Sequence, residues 1–196
     1  MSTAAMPRLL THPLIPIPDE PPPVPDVPPG FEFINDQLVE KPMGATSSWV
    51  AGEVFDQVRS YCRRTNFGVA FVADLGFRCF PKKPSQIRKP DVAVIRCDPR
   101  TYVLPSGWLE VVPALVVEVV SPNETVYELT DKINDFRSAR TPLIWVIVPE
   151  SRQATIYRAD GSVSLITDPG ELSGEGVLPG FTMPLAAVLP PVTSPV

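Results

Sequence analysis

Residues 113–149 read PALVVEVVSPNETVYELTDKINDFRSARTPLIWVIVP, a stretch that runs strand, helix, strand. Ala114 to Val120 is apolar except for Glu118, a pattern suited to a strand covered on both faces. Ser121-Pro122-Asn123 interrupts the run, and Asn123 can cap a helix that begins with Glu124 and Thr125. Val126, Leu129, Ile133 and Phe136 recur at helical spacing, so this stripe is expected to face the sheet. Pro142 disfavours helical geometry at Thr141 and ends the helix near Arg140. Leu143 to Val148 then reads as the next buried strand. A unit of this length predicts a right-handed crossover between parallel strands.

Glu118 is out of place in such a strand. Burying an ionised carboxylate costs several kcal/mol even after relaxation, and Val or Ile would serve a plain core better. A metal ion, a lysine, or both would explain it. At about 100° per residue, Lys132 lies roughly 80° from the centre of the apolar stripe, on the flank from which a long side chain reaches back to the strand ends. Upstream, Lys89-Pro90-Asp91-Val92-Ala93-Val94-Ile95 sets Asp91 at the edge of another short apolar strand. Alone, an aspartate there is equally a turn residue. Asp, Glu and Lys converging at one end of a sheet is what a Mg²⁺-dependent phosphodiesterase needs. Two carboxylates hold a hard cation, the cation acidifies a water, and the lysine orients that water or stabilises developing charge.

Pro90-Asp91, Glu118 within VVEVVSPN, and Lys132 in the following helix resemble the PD-(D/E)XK nuclease superfamily, and more closely its Uma-two branch of restriction endonuclease-like proteins. In the superfamily pattern the lysine stands two residues after the glutamate. Here that position is Val120, and Lys132 on the helix matches the branch instead. QLVEKPMGATSSW, FRCFP, RKPDVAVI, TPLIWVIVPE and VLPGF also match, so the resemblance covers about residues 31–189. It implies an α/β, restriction endonuclease-like core, with a central mixed β-sheet flanked by helices. It implies Mg²⁺-dependent hydrolysis of DNA phosphodiesters, with Mn²⁺ able to substitute. Asp91 and Glu118 would hold the metal, the backbone carbonyl of Val119 would also face it, and Lys132 would act on the attacking water. Glu40, just ahead of the first helix, matches an acidic residue that often joins the metal site in the superfamily; its plain reading is an exposed acid at a strand end.

A chain of 196 residues with 44% hydrophobic content can bury a core of one domain. Its net charge of −5 excludes nucleic-acid binding by bulk charge, so contact with DNA must rely on a local patch and on metal. PKKPSQIRKP supplies one such patch: Lys82, Lys83, Arg88 and Lys89 stand close together ahead of Asp91, to hold a phosphate backbone or to form a solvated turn. Cys62, Cys79 and Cys97 lack metal-ligand spacing and read as reduced thiols of a cytoplasmic protein. The sole histidine, His12, lies in the tail, which excludes histidine triads and His-rich zinc sites.

Residues 1–29 include PLIPIPDEPPPVPDVPPG, where fixed φ and missing amide hydrogens prevent helix or central strand. An extended or disordered arm is expected, with a second use as the ligand of a proline-binding partner module. Met1 to Leu10 lacks a basic start followed by a long apolar core, so neither a signal peptide nor a membrane span is expected. The domain is expected over 30–190 and a short tail over 191–196.

Within the domain, Asn35-Asp36 marks a hairpin in FEFINDQLVE. Trp49, Val50, Val54, Val58 and Tyr61 or Cys62 form the face of a helix from Ser47 or Ser48 to about Arg64, closed by Asn66-Phe67-Gly68, where Gly68 can serve as the stop. Val69 to Ala73 and Phe77 to Phe80 read as an antiparallel pair. Gln153 to Arg158 and Val163 to Thr167 read as a hairpin around Asp160-Gly161. Pro184 opens a short closing helix. A homodimer is in keeping with paired cuts, which need two active sites. The rival to a nuclease is a catalytically inactive nucleic-acid-binding or oligomeric scaffold of the same fold, its acids merely ion-paired.

Overall fold

A computed structural model describes residues 26–41 and 44–191. Most of the expected arm, residues 1–25, and most of the tail, 192–196, lie outside the described residues. In chain order the elements are β1 (Phe31–Ile34), β2 (Gln37–Glu40), α1 (Ala45–Thr65), β3 (Gly68–Val72), β4 (Val92–Arg96) and β5 (Leu115–Val119). Then come α2 (Val126–Ser138), β6 (Leu143–Val148), β7 (Gln153–Arg158), β8 (Val163–Thr167), β9 (Glu171–Ser173), β10 (Thr182–Pro184) and a 3-10 turn, Leu185–Val188. The central sheet has six strands in the order β3-β4-β5-β6-β7-β8. Only β5 and β6 run parallel, joined through α2, and every other neighbouring pair is antiparallel.

Alternation within β5 sorts its residues between two covered faces. Leu115, Val117 and Val119 pack with Val50, Val54 and Val58 of α1, while Val116 packs with Ile133 and Phe136 of α2. Glu118 shares parity with Val116 and so belongs to the α2 face. Each face holds a dry core, which is why strands 4, 5 and 6 are apolar almost throughout. The C-terminal segment finishes the α1 face: Phe181 stacks on Trp145 at 6.0 Å and meets Tyr61 edge-on at 5.4 Å.

Several local expectations needed correction. Helix α1 starts at Ala45, where the Ser47 hydroxyl accepts a hydrogen bond from the Gly44 amide at 3.0 Å. It stops within the expected Asn66-Phe67-Gly68, at Asn66, whose φ of 53° is left-handed; Gly68 itself opens β3, where a Cβ would lie 2.0 Å from the Ile95 carbonyl. Trp49 is off the buried face and 44% exposed. Helix α2 starts two residues later than expected, with Thr125 as its cap and Glu128 reaching back to the Thr125 amide. Val126 therefore falls in the first turn, beyond the sheet, and is 82% exposed. Phe77–Phe80 does not pair with β3. Phe77 bridges singly to Arg88 and Leu109, and β4 takes the place beside β3. The hairpin β1–β2 turns through Asn35 and Asp36, both left-handed, as a two-residue turn demands.

The last residues before the domain are packed against it. Val27 is buried with Phe33 and Ile87, and the Pro28 carbonyl accepts from the Lys89 ammonium at 3.0 Å. Among the described residues no helix is long and apolar enough to cross a membrane.

Candidate active site

Asp91 immediately precedes β4, beside the end of β5. The β4–β5 ladder ends at the Val92–Val117 pair, and beyond it the Asp91 carboxylate accepts a hydrogen bond from a β5 amide. Its Oδ2 accepts from the Val119 amide at 2.7 Å, and its Oδ1 accepts from the Lys41 ammonium at 2.6 Å. Glu118, one residue before Val119, sends its carboxylate to the α2 side. Its Oε2 lies 3.4 Å from Nζ of Lys132, whereas Oε1 is buried without a hydrogen-bond partner among the described residues. Lys132 is completed by Glu124, at 2.9 Å. The flank position in α2 thus does what its angle predicts: the ammonium returns over the C-terminal end of β5.

Burial sets the electrostatics. It pushes the Glu118 carboxyl up to about 7; Lys132 works against the rise and Asp91 adds to it. Burial alone would lower Lys132, but Glu118, Glu32 and Glu124 override it and hold the amine above its ordinary value. Lys41 behaves alike: burial opposes its charge, and Asp91 and Glu118 prevail. Both lysines are therefore ammonium groups at neutral pH. Burial also raises the thiols of Cys62, to about 11, and Cys79, to about 12, so neither is a thiolate nucleophile.

A cavity of about 290 Å³ opens between the β1–β2 hairpin and the first turns of α2. Lys41, Lys132, Glu32, Glu40 and Glu124 line it; Asp91 and Glu118 are not on its wall but pair with the two lysines that are. Glu40 is exposed on this wall. The basic loop is dispersed by contrast. Arg88, 2% exposed, is clamped between Glu32 at 3.1 Å and Asp135 at 2.5 Å. Lys89 is buried beneath Trp108, its amide donating to Glu32. Lys83 pairs with Asp135 at 3.1 Å, and Lys82 is exposed. Two of the four cations read as one patch are thus interior groups: Arg88 joins the hairpin to α2, and Lys89 ties Pro28 to the hairpin.

Three site residues went unread in the sequence. Glu32 stands between Phe31 and Phe33, the same signal of a carboxylate in an apolar run that singled out Glu118. Glu124 looked like a plain helix-start acid. Lys41 follows a strand of polar pattern and carries no local signal; only the fold brings it 50 residues to Asp91.

Two carboxylates side by side, one with a buried unsatisfied oxygen, are a donor set suited to a hard divalent cation. Among the described residues no three His, Cys, Asp or Glu side chains converge. A hard cation that keeps several waters can be held by as few as two carboxylates.

A mixed sheet crossed by one parallel β–α–β unit, with acids at the strand ends and lysine on the helix, defines a restriction endonuclease-like α/β domain. The profile of the family described as "Uma2: Putative restriction endonuclease" matches residues 23–186, and the chain belongs to that family. Its fold is similar to that of a "putative nuclease belonging to DUF820" from Anabaena variabilis ATCC 29413, with a TM-score of 0.70 and 18% identity over 84% of this chain and 92% of that one. At that identity the likeness is one of fold. No curated protein matches the chain.

Proposed function

We propose that this chain is a Mg²⁺-dependent DNA endonuclease, with Mn²⁺ able to substitute. The observation that carries the reading is Glu118: a carboxylate 1% exposed, with one oxygen unsatisfied, beside Asp91. A core without ligand chemistry gains nothing from that group.

Asp91 and Glu118 would hold the ion, helped by the Val119 carbonyl, with Glu40 as an outer acid. When bound, the ion would acidify water and offset phosphate charge. Glu124 and Glu118 hold the Lys132 ammonium at the cavity wall, where it can donate to the attacking water and to charge developing on phosphate. The Val119 amide fixes the orientation of Asp91. Lys82 and Lys83 would contact phosphates outside the cavity. Family membership supports a nucleic-acid substrate; a homodimer would provide paired cuts.

Incubating supercoiled plasmid with the protein tests this directly. Nicking is expected with Mg²⁺ or Mn²⁺ and not with EDTA, and nicking that persists in EDTA rejects the reading.

One observation favours the scaffold. Asp91, Glu124 and one oxygen of Glu118 already face ammonium groups, so the cluster is nearly closed as a set of ion pairs. Divalent ions discriminate, because a ligand of the folded state raises its melting temperature. The nuclease reading expects a rise with Mn²⁺ that Glu118→Ala abolishes; the scaffold expects none.

A further inference from the structure

The two carboxylates of the site are not equally open. Glu118 keeps a buried oxygen without a partner, but both oxygens of Asp91 are taken, one by the Val119 amide and one by Lys41. The Lys41 side chain is 6% exposed, and its ammonium also donates to the Lys89 carbonyl at 2.7 Å. Lys41 therefore stands where a cation bound by Asp91 would stand. Two cations in contact with one carboxylate in a water-poor site repel each other strongly. Yet Lys41 also lines the cavity, and its four-carbon stem lets the ammonium turn into that space.

We propose that Lys41 is a built-in competitor for the divalent cation, neutralising Asp91 until the ion enters and then turning into the cavity to meet the phosphate. This rests on the reading of Asp91 and Glu118 as an ion site. The consequence is a binding site that is stable without metal and binds it more weakly than a bare acid pair would. The apparent dissociation constant is the intrinsic one divided by the fraction of molecules in which Asp91 is free.

Calorimetric titration of the full chain with Mn²⁺ in the absence of DNA tests the competition. Lys41→Met should tighten binding by on the order of tenfold, and Asp91→Asn should remove it in either background. A second measurement uses the parent alone. Reductive methylation followed by mass spectrometry should find Lys41 protected without the ion and modified at saturating Mn²⁺, which decides the matter even where Lys41→Met does not fold. Equal affinity in parent and variant, or a Lys41 still protected with Mn²⁺ bound, overturns the competition while leaving the ion site intact. Failure of parent and variant alike to bind Mn²⁺ overturns both.

Discussion

Lys132 and Glu118 stand 14 residues apart in the chain and meet over the end of β5, Nζ to Oε2 at 3.4 Å. The helix that carries the lysine also bridges the two parallel strands, so the topology of the sheet and the chemistry of the site are set by one segment.

That pair has a pH signature. Burial pushes Glu118 up to about 7 from an ordinary 4.5, so the folded chain keeps a proton that the unfolded chain releases. The stabilisation from this group is complete below about pH 4.5 and is lost as pH rises through about 7. The loss is on the order of 3 kcal/mol. Urea unfolding in EDTA should show Glu118→Gln gaining on the parent between pH 5 and pH 8. A constant difference between the two would contradict this.

Arg88 should behave as a structural group. Removing it leaves Glu32 and Asp135 buried without their shared guanidinium, and Arg88→Met is expected to cost about 3–5 kcal/mol of unfolding free energy. A phosphate-contact arginine on the surface would instead leave denaturation within about 0.5 kcal/mol of the parent.

Lys82 offers the opposite profile, being exposed on the same loop. Lys82→Ala should leave stability unchanged and weaken binding to DNA of any sequence, lowering the salt slope by about 1. Fluorescence anisotropy across a salt series reads this, and an unaltered slope removes Lys82 from the interface.

Thr125 links local structure to the site. Its hydroxyl accepts from the Glu128 amide at 3.2 Å and starts the helix that presents Lys132. Thr125→Ala should cost about 1 kcal/mol in chemical denaturation; a loss below about 0.3 kcal/mol would mean that packing, not the cap, fixes the helix start.

The β5–α2–β6 unit and the β7–β8 hairpin were legible in sequence because their signals are local: an apolar run, a stripe, a proline stop, Asp160-Gly161. That Asp91, Glu118 and Lys132 lie at one end of the sheet was legible for the same reason, each a polar residue at a position that apolar patterning or strand geometry makes informative. Phe77–Phe80 was misread, since its apolar residues pack under α2 without strand pairing. Arg88 and Lys89 resemble solvent-facing cations until Glu32 and Asp135 are brought over them. Lys41 shows the limit most clearly: its partner lies across the fold, and nothing within the hairpin's own sequence points to it.

The most direct test of the account compares the parent with Glu118→Gln in Mn²⁺-dependent plasmid nicking, both first shown to be folded by circular dichroism. The substitution keeps the shape of the side chain, removes its charge, and leaves Lys132 paired to Glu124. The account predicts a folded variant whose nicking rate falls by about 100-fold or more. A folded variant that nicks as fast as the parent would show that the acid pair of β4 and β5 is not the hydrolytic centre.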